Sequence, residues 1–416
     1  MHVCVLGAGI VGLSTAYELN QRGFKVTVID RADQVGSGAS GHNGAQLSYS
    51  YVQPLADPSI WTQLPELLFS PQSPLKWRPR LDYQQWRWLL SFLRACNRSD
   101  SARSTAHLIS LARLSRASLD AMQEREKIDC DFSNTGKLVL YSSTKTFSAA
   151  QKQMRLQASM GSEQQALESF KCIQIEPALA QYQNQIVGGI YTASECAIDT
   201  LKLCSNLEII LRSRGVQFVL DHDVVRFTLR GRRVTEVVTK SDSIEADFFV
   251  LACGSASAGL ARSVSVQLPI YPIKGYSVTF DLSQSDLAQF AAPQVNITES
   301  SKKIVFARLG QRLRVAGMAE IVGYDASIDR TAIEKLIAAT HKLFPELKVC
   351  PVSQAWAGLR PATPTGLPVV GKRTDAPENL LFNTGHGGLG LTLAFGSAVQ
   401  VASLVHSEMT RSGVCH

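Results

Sequence analysis

Cysteine is sparse in these 416 residues: there are nine, and no two stand in a C-x-x-C pair. That spacing excludes a zinc or iron–sulfur framework. The apolar neighbours of Cys4 (Val3, Val5) and Cys253 (Leu251, Ala252) read as buried strand, so the thiols are expected to be reduced core residues. No apolar run reaches the roughly 18–20 residues needed to span a bilayer. Charged residues are few, at 19%, and the formal excess of +7 is spread without a Lys/Arg block, so no nucleic-acid partner is expected. The apolar stretch at 3–13 lacks the basic leader of a secretory signal, and a cleaved leader is not expected. What is present is 45% apolar residues in a chain too long for one core. Disordered, collagenous and disulfide-stapled classes are excluded, and two domains are expected.

Residues 2–6, HVCVL, form a short β-branched run that reads as a buried strand. Gly7, Gly9 and Gly12 follow in a G-x-G-x-x-G turn, then Leu13, Ala16, Tyr17 and Leu19 at helical spacing as far as Gly23. Residues 25–29 make a second strand that ends at Asp30. Each glycine has a task in such a turn. Gly7 permits the tight bend, Gly9 the approach of a pyrophosphate, and Gly12 the packing of helix on strand. The helix start, at Ile10 and Val11, offers free N–H groups and partial positive charge to phosphate. Asp30 falls 18 residues after Gly12, where a carboxylate binds both hydroxyls of an adenosine ribose. An acid at that position argues against a 2′-phosphate and for NAD or FAD. The alternative is a βαβ turn that holds no ligand.

The segment after Asp30, which opens on Arg31, a further cofactor candidate, separates NAD from FAD. An NAD-binding chain continues into another βαβ unit, whereas this one enters a loop dense in small residues. Gly36, Ser37, Gly38, Ser40, Asn43 and Gly44 suit the ribityl chain and pyrophosphate of FAD; a plain surface linker is the other reading. Val224 opens a later strand, and the apolar run 248–252 ends in a small-residue turn at Cys253 and Gly254 that brings backbone close to a cofactor. A third segment, 380–383, leads into the glycine turn TGHGGLGLT and a helix from about 391 to 409. Gly387, Leu389, Gly390 and Thr392 are its candidates for the flavin pyrimidine edge, which gains negative charge on reduction. His386 is either a turn residue or a base.

With these stretches in order, the chain resembles the D-amino acid dehydrogenase (small subunit) group, within the amino-acid oxidase superfamily that includes glycine and sarcosine oxidases. The resemblance rests on GAGIVGLSTAYEL, GKLVLY at 136–141, PIKGYSVT at 272–279, RLRVAGMAE at 312–320, WAGLRP at 356–361, TPTGLP at 363–368 and the C-terminal glycine turn. Two departures are Cys253, where threonine is usual, and Leu391, where the group often has tryptophan. The resemblance implies an α/β fold: a Rossmann-type FAD-binding domain in separated pieces (1–80, 190–270 and 355–416). An inserted α+β substrate domain (81–189 and 271–354) is built on a mixed antiparallel sheet. It also implies oxidative deamination of a D-amino or imino acid, with hydride passing to the flavin and electrons to a quinone-type acceptor. An oxygen-using amine oxidase for glycine, sarcosine or a cyclic imino acid such as hydroxyproline stays open, as does an accessory flavin subunit.

By resemblance to glycine oxidase, Arg360 clamps the substrate carboxylate, the bidentate geometry for which a guanidinium is suited. Tyr276 is the second substrate and catalytic candidate, and Tyr49 and Tyr51 are expected to line the pocket. Arg314 is either another basic contact or a partner of Glu320. FAD is expected to be held noncovalently, since no cysteine occupies residues 360–365, where some relatives attach it; no metal is expected. Four of the five tryptophans, Trp61, Trp77, Trp86 and Trp88, crowd into 61–93 with Lys76, Arg78, Arg80 and Arg87. That mixture suits the headgroup boundary of an anionic bilayer, on the cytoplasmic side of the inner membrane, or else a domain core.

Overall fold

The computed structural model describes residues 1–50, 52, 55–61, 75–158, 161–284 and 286–411. Tyr51 and the residues between Trp61 and Leu75 lie outside the described residues.

Four runs without polar alternation, HVCVL, KVTVI, FFVL and LLFNT, become strands buried on both faces, as parallel strands under helices must be. With two short edge strands they form a six-stranded sheet. Its order is Val369–Gly371, Leu380–Thr384, Phe248–Leu251, His2–Leu6, Lys25–Ile29 and Gln217–Val219. The five strands after the first are parallel, and the first is an antiparallel edge. One face packs the helices Ile10–Gln21 and Thr200–Ser213 and the C-terminal helix Gly390–Arg411 in a single core. This is the doubly wound cofactor half.

The second sheet has nine strands among the described residues and is mostly antiparallel. Along its main path run Val352–Ala362, Tyr271–Asp281, Arg312–Ile321, Ile304–Leu309, Asn296–Glu299, Lys137–Tyr141, Gly188–Thr192 and Gln165–Glu168. Its outer face carries Val278, Phe280, Leu313 and Val315 onto Leu336 and Leu343 of helix Arg330–Leu343. Its inner face is more polar and meets the cofactor half through Ser277, Thr279 and Arg314.

Sheet pairing moves the expected domain limits. Leu75–Trp77 was expected in the cofactor half but pairs in parallel with Ala319 to Ile321 of the second sheet. Gly188–Thr192 and Val352–Ala362, which straddle the expected limits at 190 and 355, both belong wholly to that sheet. Helix Arg98–Glu126 was expected in the substrate half. Its Leu108, Leu111, Ala112 and Leu119 instead join the core of Val3, Leu13 and Phe395. A Cβ at Gly396 would meet the Leu111 carbonyl oxygen at 2.5 Å, so the C-terminal helix lies directly against it. Motif order reveals neither fact, because strand partners and helix faces are chosen by tertiary packing.

Candidate functional site

The site begins where the parallel strands end, the edge at which open α/β sheets bind their ligands. Gly7 adopts φ +112, a backbone conformation that favours glycine, and a side chain there would strike Ala252 of the neighbouring strand. A Cβ at Gly12 would overlap the Gly7 carbonyl oxygen, so this pair of glycines makes the turn possible. Gly9 caps the first helix with no side-chain acceptor, which leaves the first-turn amides of Val11 and Gly12 free for phosphate. Ser40 Oγ accepts from the Ile10 amide at 3.0 Å and so ties the small-residue loop to the turn. Gly36 N–H, in turn, donates to the Ala8 carbonyl. Asp30 accepts from the amides of Ala8 (2.6 Å) and Ala32 (2.9 Å), one on each oxygen. Each oxygen keeps a lone pair for a ribose hydroxyl.

Beyond Asp30 lies an open cleft of about 440 Å³ lined by Arg31, Asp221, His222, Asp223, Thr239, Lys240 and Ser241. Val224 begins the strand beside it and shares an apolar cluster with Leu6, Ile29, Leu251 and Cys253. Burial pushes the Cys253 thiol up, so it packs as a neutral group. Gly254, at φ +54, and Gly388 face space in which a Cβ would meet nothing within 4 Å. The uncapped helix amides at the first glycine turn and the open space above Gly254 and Gly388 fit FAD. Ser37 lies at the loop's exposed bend, where its hydroxyl donates to the Gln34 carbonyl.

From residue 42 onward the loop crosses the inner face of the second sheet almost strand by strand. Ser277 Oγ donates to the His42 carbonyl, and Arg314 to the Asn43 carbonyl at 3.1 Å. Gln46 Nε2 donates to the carbonyls of Ile297 and Phe306, both at 3.0 Å. Lys137 donates to Ser48 Oγ, and the Ser50 amide to Glu195. Asn43 and Gly44 are therefore part of a strap between the halves. Asn43 Oδ1 accepts from the Ala45 amide and from Thr200, and a Cβ on Gly44 would press on Val305, so both residues are packed against the second sheet and its neighbours. At its far end the strap reaches the C-terminal glycine turn, where the Ser48 amide donates to Thr392 Oγ1 at 3.2 Å.

Arg360 lies on the inner face near that same turn. Register sets it opposite Ile273, with Gly275 opposite Gly358 and Ser277 between Trp356 and Ala316. Residues directly opposite share a face, so Arg360, Gly275, Gly358, Trp356 and Ser277 form one surface. A Cβ at Gly275 would overlap the Arg360 guanidinium, and one at Gly358 the Trp356 indole; each glycine is the floor on which a larger group lies flat. Two residues on, Ala362 bridges His386 of the glycine turn. Arg360 is half-buried, donates to the Met318 carbonyl at 2.9 Å, and has no acidic partner among the described residues. Burial draws its guanidinium below the usual arginine range.

Tyr276 is not on this surface. It points to the outer face, 1% exposed, and donates to Glu320 Oε2 at 2.8 Å, with the Lys274 ammonium 5.3 Å from its ring. The reason is strand alternation: its neighbours Gly275 and Ser277 face inward. Nor does Arg314 pair with Glu320. A register shift beside Met318, at φ +64, inserts one residue into the strand, so positions of equal parity before and after it face opposite ways. Arg314 bonds Thr279 at 2.8 Å on the inner face, and Glu320 pairs with Lys76 at 3.1 Å on the outer.

His386 is also turned from the cleft: its Nε2 lies 3.1 Å from Ser397 Oγ on the C-terminal helix. Desolvation pushes it down to about 3, which keeps the ring neutral. Tyr49 is buried beneath the Arg116 guanidinium (5.3 Å to the ring centre), and its hydroxyl has no partner among the described residues. Sequence reasoning missed Gly275, Gly358 and Trp356 as a platform, and Lys137 altogether. A lysine opening the otherwise apolar run KLVLY was the available signal.

A model of the family described as "DAO: FAD dependent oxidoreductase" matches residues 2–404. Over 411 residues the chain is 42% identical to D-amino acid dehydrogenase 2 of Ralstonia nicotianae, covering 97% of this chain and 96% of that one. It is 40% identical over 405 residues to D-amino acid dehydrogenase 2 of Pseudomonas aeruginosa, with 97% and 94% covered. Among solved structures it is similar to glycine oxidase from Geobacillus kaustophilus, at a TM-score of 0.76 and 21% identity over 97% of this chain and 94% of that one. That likeness speaks for the fold alone.

Proposed function

Because the chain belongs to the DAO family of FAD-dependent oxidoreductases, we propose that it is a D-amino acid dehydrogenase, which oxidises the C–N bond of its substrate to an imine that hydrolyses to the 2-oxo acid. FAD, when bound, supplies the hydride acceptor for Cα. Arg360 binds the substrate carboxylate through two N–H donors and thereby orients Cα. The observation that carries this reading is Arg360 itself: a half-buried cation without an acidic partner among the described residues, on the surface that adjoins the glycine turn. Gly275 and Gly358 hold that surface flat, with the Trp356 indole lying over Gly358. His386, neutral and bonded to Ser397, takes no part in proton transfer.

Arg360→Ala is expected to lower kcat/KM for D-amino acids on the order of a hundredfold, the worth of a charge-assisted pair. FAD content should be unchanged, and Arg360→Lys should recover part of the loss. Unaltered steady-state kinetics in Arg360→Ala would remove the assignment.

In the same reading the electrons pass to a quinone-type acceptor, and helix Tyr83–Ala95 meets the membrane that holds it. Support comes from the exposed residues of this helix and the turn before it: Leu81, Tyr83, Trp86 and Leu90 are exposed, as are Arg80, Arg87 and Arg94. Trp61 is exposed as well, whereas Trp88 turns inward and donates to the Ala362 carbonyl at 2.8 Å. The enzyme then works on the cytoplasmic side of the inner membrane as a peripheral protein. Fractionation is expected to recover it with membranes at low salt and to release it at high salt; recovery in the soluble fraction under both conditions would count against the surface.

A further inference from the structure

The strand Lys137–Tyr141 is buried throughout, and Lys137, which opens it, is 5% exposed. Taking an ammonium out of water costs several kcal/mol unless other groups compensate it, so packing gives no reason for a lysine here. Its Nζ donates to Ser48 Oγ at 2.7 Å. Ser48, through its own amide, is bonded to Thr392 in the first turn of the C-terminal helix. Glu195, fully buried, accepts from the amide of Ser50 at 2.7 Å. Burial draws the Lys137 ammonium below the ordinary lysine range, and the charge of Glu195 draws it back. The strap thus carries a buried cation at residue 48 and a buried anion at residue 50, where it reaches the glycine turn.

We propose that Lys137, acting through Ser48 and Thr392, is a positioning residue that sets the reduction equilibrium of the bound flavin, with Glu195 as its opposing charge. Reduction adds negative charge to the pyrimidine edge that this glycine turn suits. A fixed cation in a low-dielectric surrounding favours the added charge, and a fixed carboxylate opposes it. Ser48 keeps the ammonium at a set distance, which a free lysine tail on the surface would not maintain. The inference rests on the flavin site and is independent of the substrate that reduces it.

The test equilibrates the anaerobic holoenzyme with a reference redox dye, two electrons and a proton passing from reduced dye to flavin, and reads the equilibrium constant from the two spectra. Lys137→Met is expected to lower that constant about tenfold, the scale of one charge-assisted hydrogen bond. Glu195→Gln, which keeps an acceptor for the Ser50 amide, is expected to raise it by a similar factor, and the double variant to return close to wild type. A lysine with a merely structural role would lower the melting temperature and leave the constant unmoved, or shift both variants in the same direction; either result overturns the proposal. Should Lys137→Met fail to fold, Glu195→Gln decides alone, and a constant unchanged or lowered in that variant overturns it.

Discussion

A guanidinium half-buried on a sheet face is unfavourable until something negative meets it. Among the described residues Arg360 has one backbone acceptor, Met318, and most of its donors are left to a substrate carboxylate. His386 shows the opposite arrangement, a titratable ring whose partner is internal. Its proton affinity is lowered from 6.5 to about 3 in the fold, so between these values the unfolded chain takes up a proton that the folded one refuses. Stability is therefore lost as pH falls below about 6.5, by up to ~1.4 kcal/mol per pH unit from this group. His386→Gln removes that slope. Relative to wild type, its urea midpoint should gain the equivalent of about 2 kcal/mol between pH 6.5 and 5. Parallel pH profiles for the two proteins would show that the ring is charged in the fold.

Within single elements, geometry decides which side chains reach the chemistry. The strand Tyr271–Asp281 carries two adjacent residues, Gly275 and Tyr276, with opposite fates. Gly275 lies under Arg360, and Tyr276 is sealed in the outer core against Glu320. Gly275→Ala is a sharp probe, because the atom its methyl would strike is the movable end of a side chain and not backbone. The variant should fold with near-normal stability, bind FAD, and show KM for D-amino acids raised on the order of tenfold as the guanidinium is displaced. Equal losses in KM and in thermal stability would mean that the glycine serves the sheet instead. Gly12 is different in kind: its obstacle is the Gly7 carbonyl, so Gly12→Ala should abolish FAD binding.

For the whole molecule, the strap from His42 to Ser50 ties the cofactor half to the second sheet. Gln46 spans two strands of the second sheet with one amide, and its loss leaves the carbonyls of Ile297 and Phe306 without that donor. Gln46→Ala should cost about 2 kcal/mol and weaken FAD binding several-fold, read by fluorescence of released flavin. Stability lost with FAD affinity unchanged would show the strap to be simple packing. The first glycine turn, Asp30 and the small-residue loop were legible from sequence because their chemistry is local: a φ of +112, a Cβ without room, a carboxylate at a strand end. The face carried by Tyr276, the separation of Arg314 from Glu320 and the allegiance of helix Arg98–Glu126 were not. One inserted residue at Met318 inverts parity, and a helix joins whichever core its apolar side meets, neither of which is written in spacing.

On the proposed function, flavin reduction in this chain needs a D-amino acid whose carboxylate is met by Arg360. Anaerobic titration of the purified holoenzyme, followed as bleaching of the oxidised flavin band, compares D- and L-alanine, D-hydroxyproline, glycine and sarcosine in wild type and Arg360→Ala. D-Alanine is expected to bleach the wild-type flavin and L-alanine is not, while the variant responds only at far higher concentration. Bleaching by L-alanine or glycine in preference to D-alanine, or an unchanged response in Arg360→Ala, would contradict the proposed function.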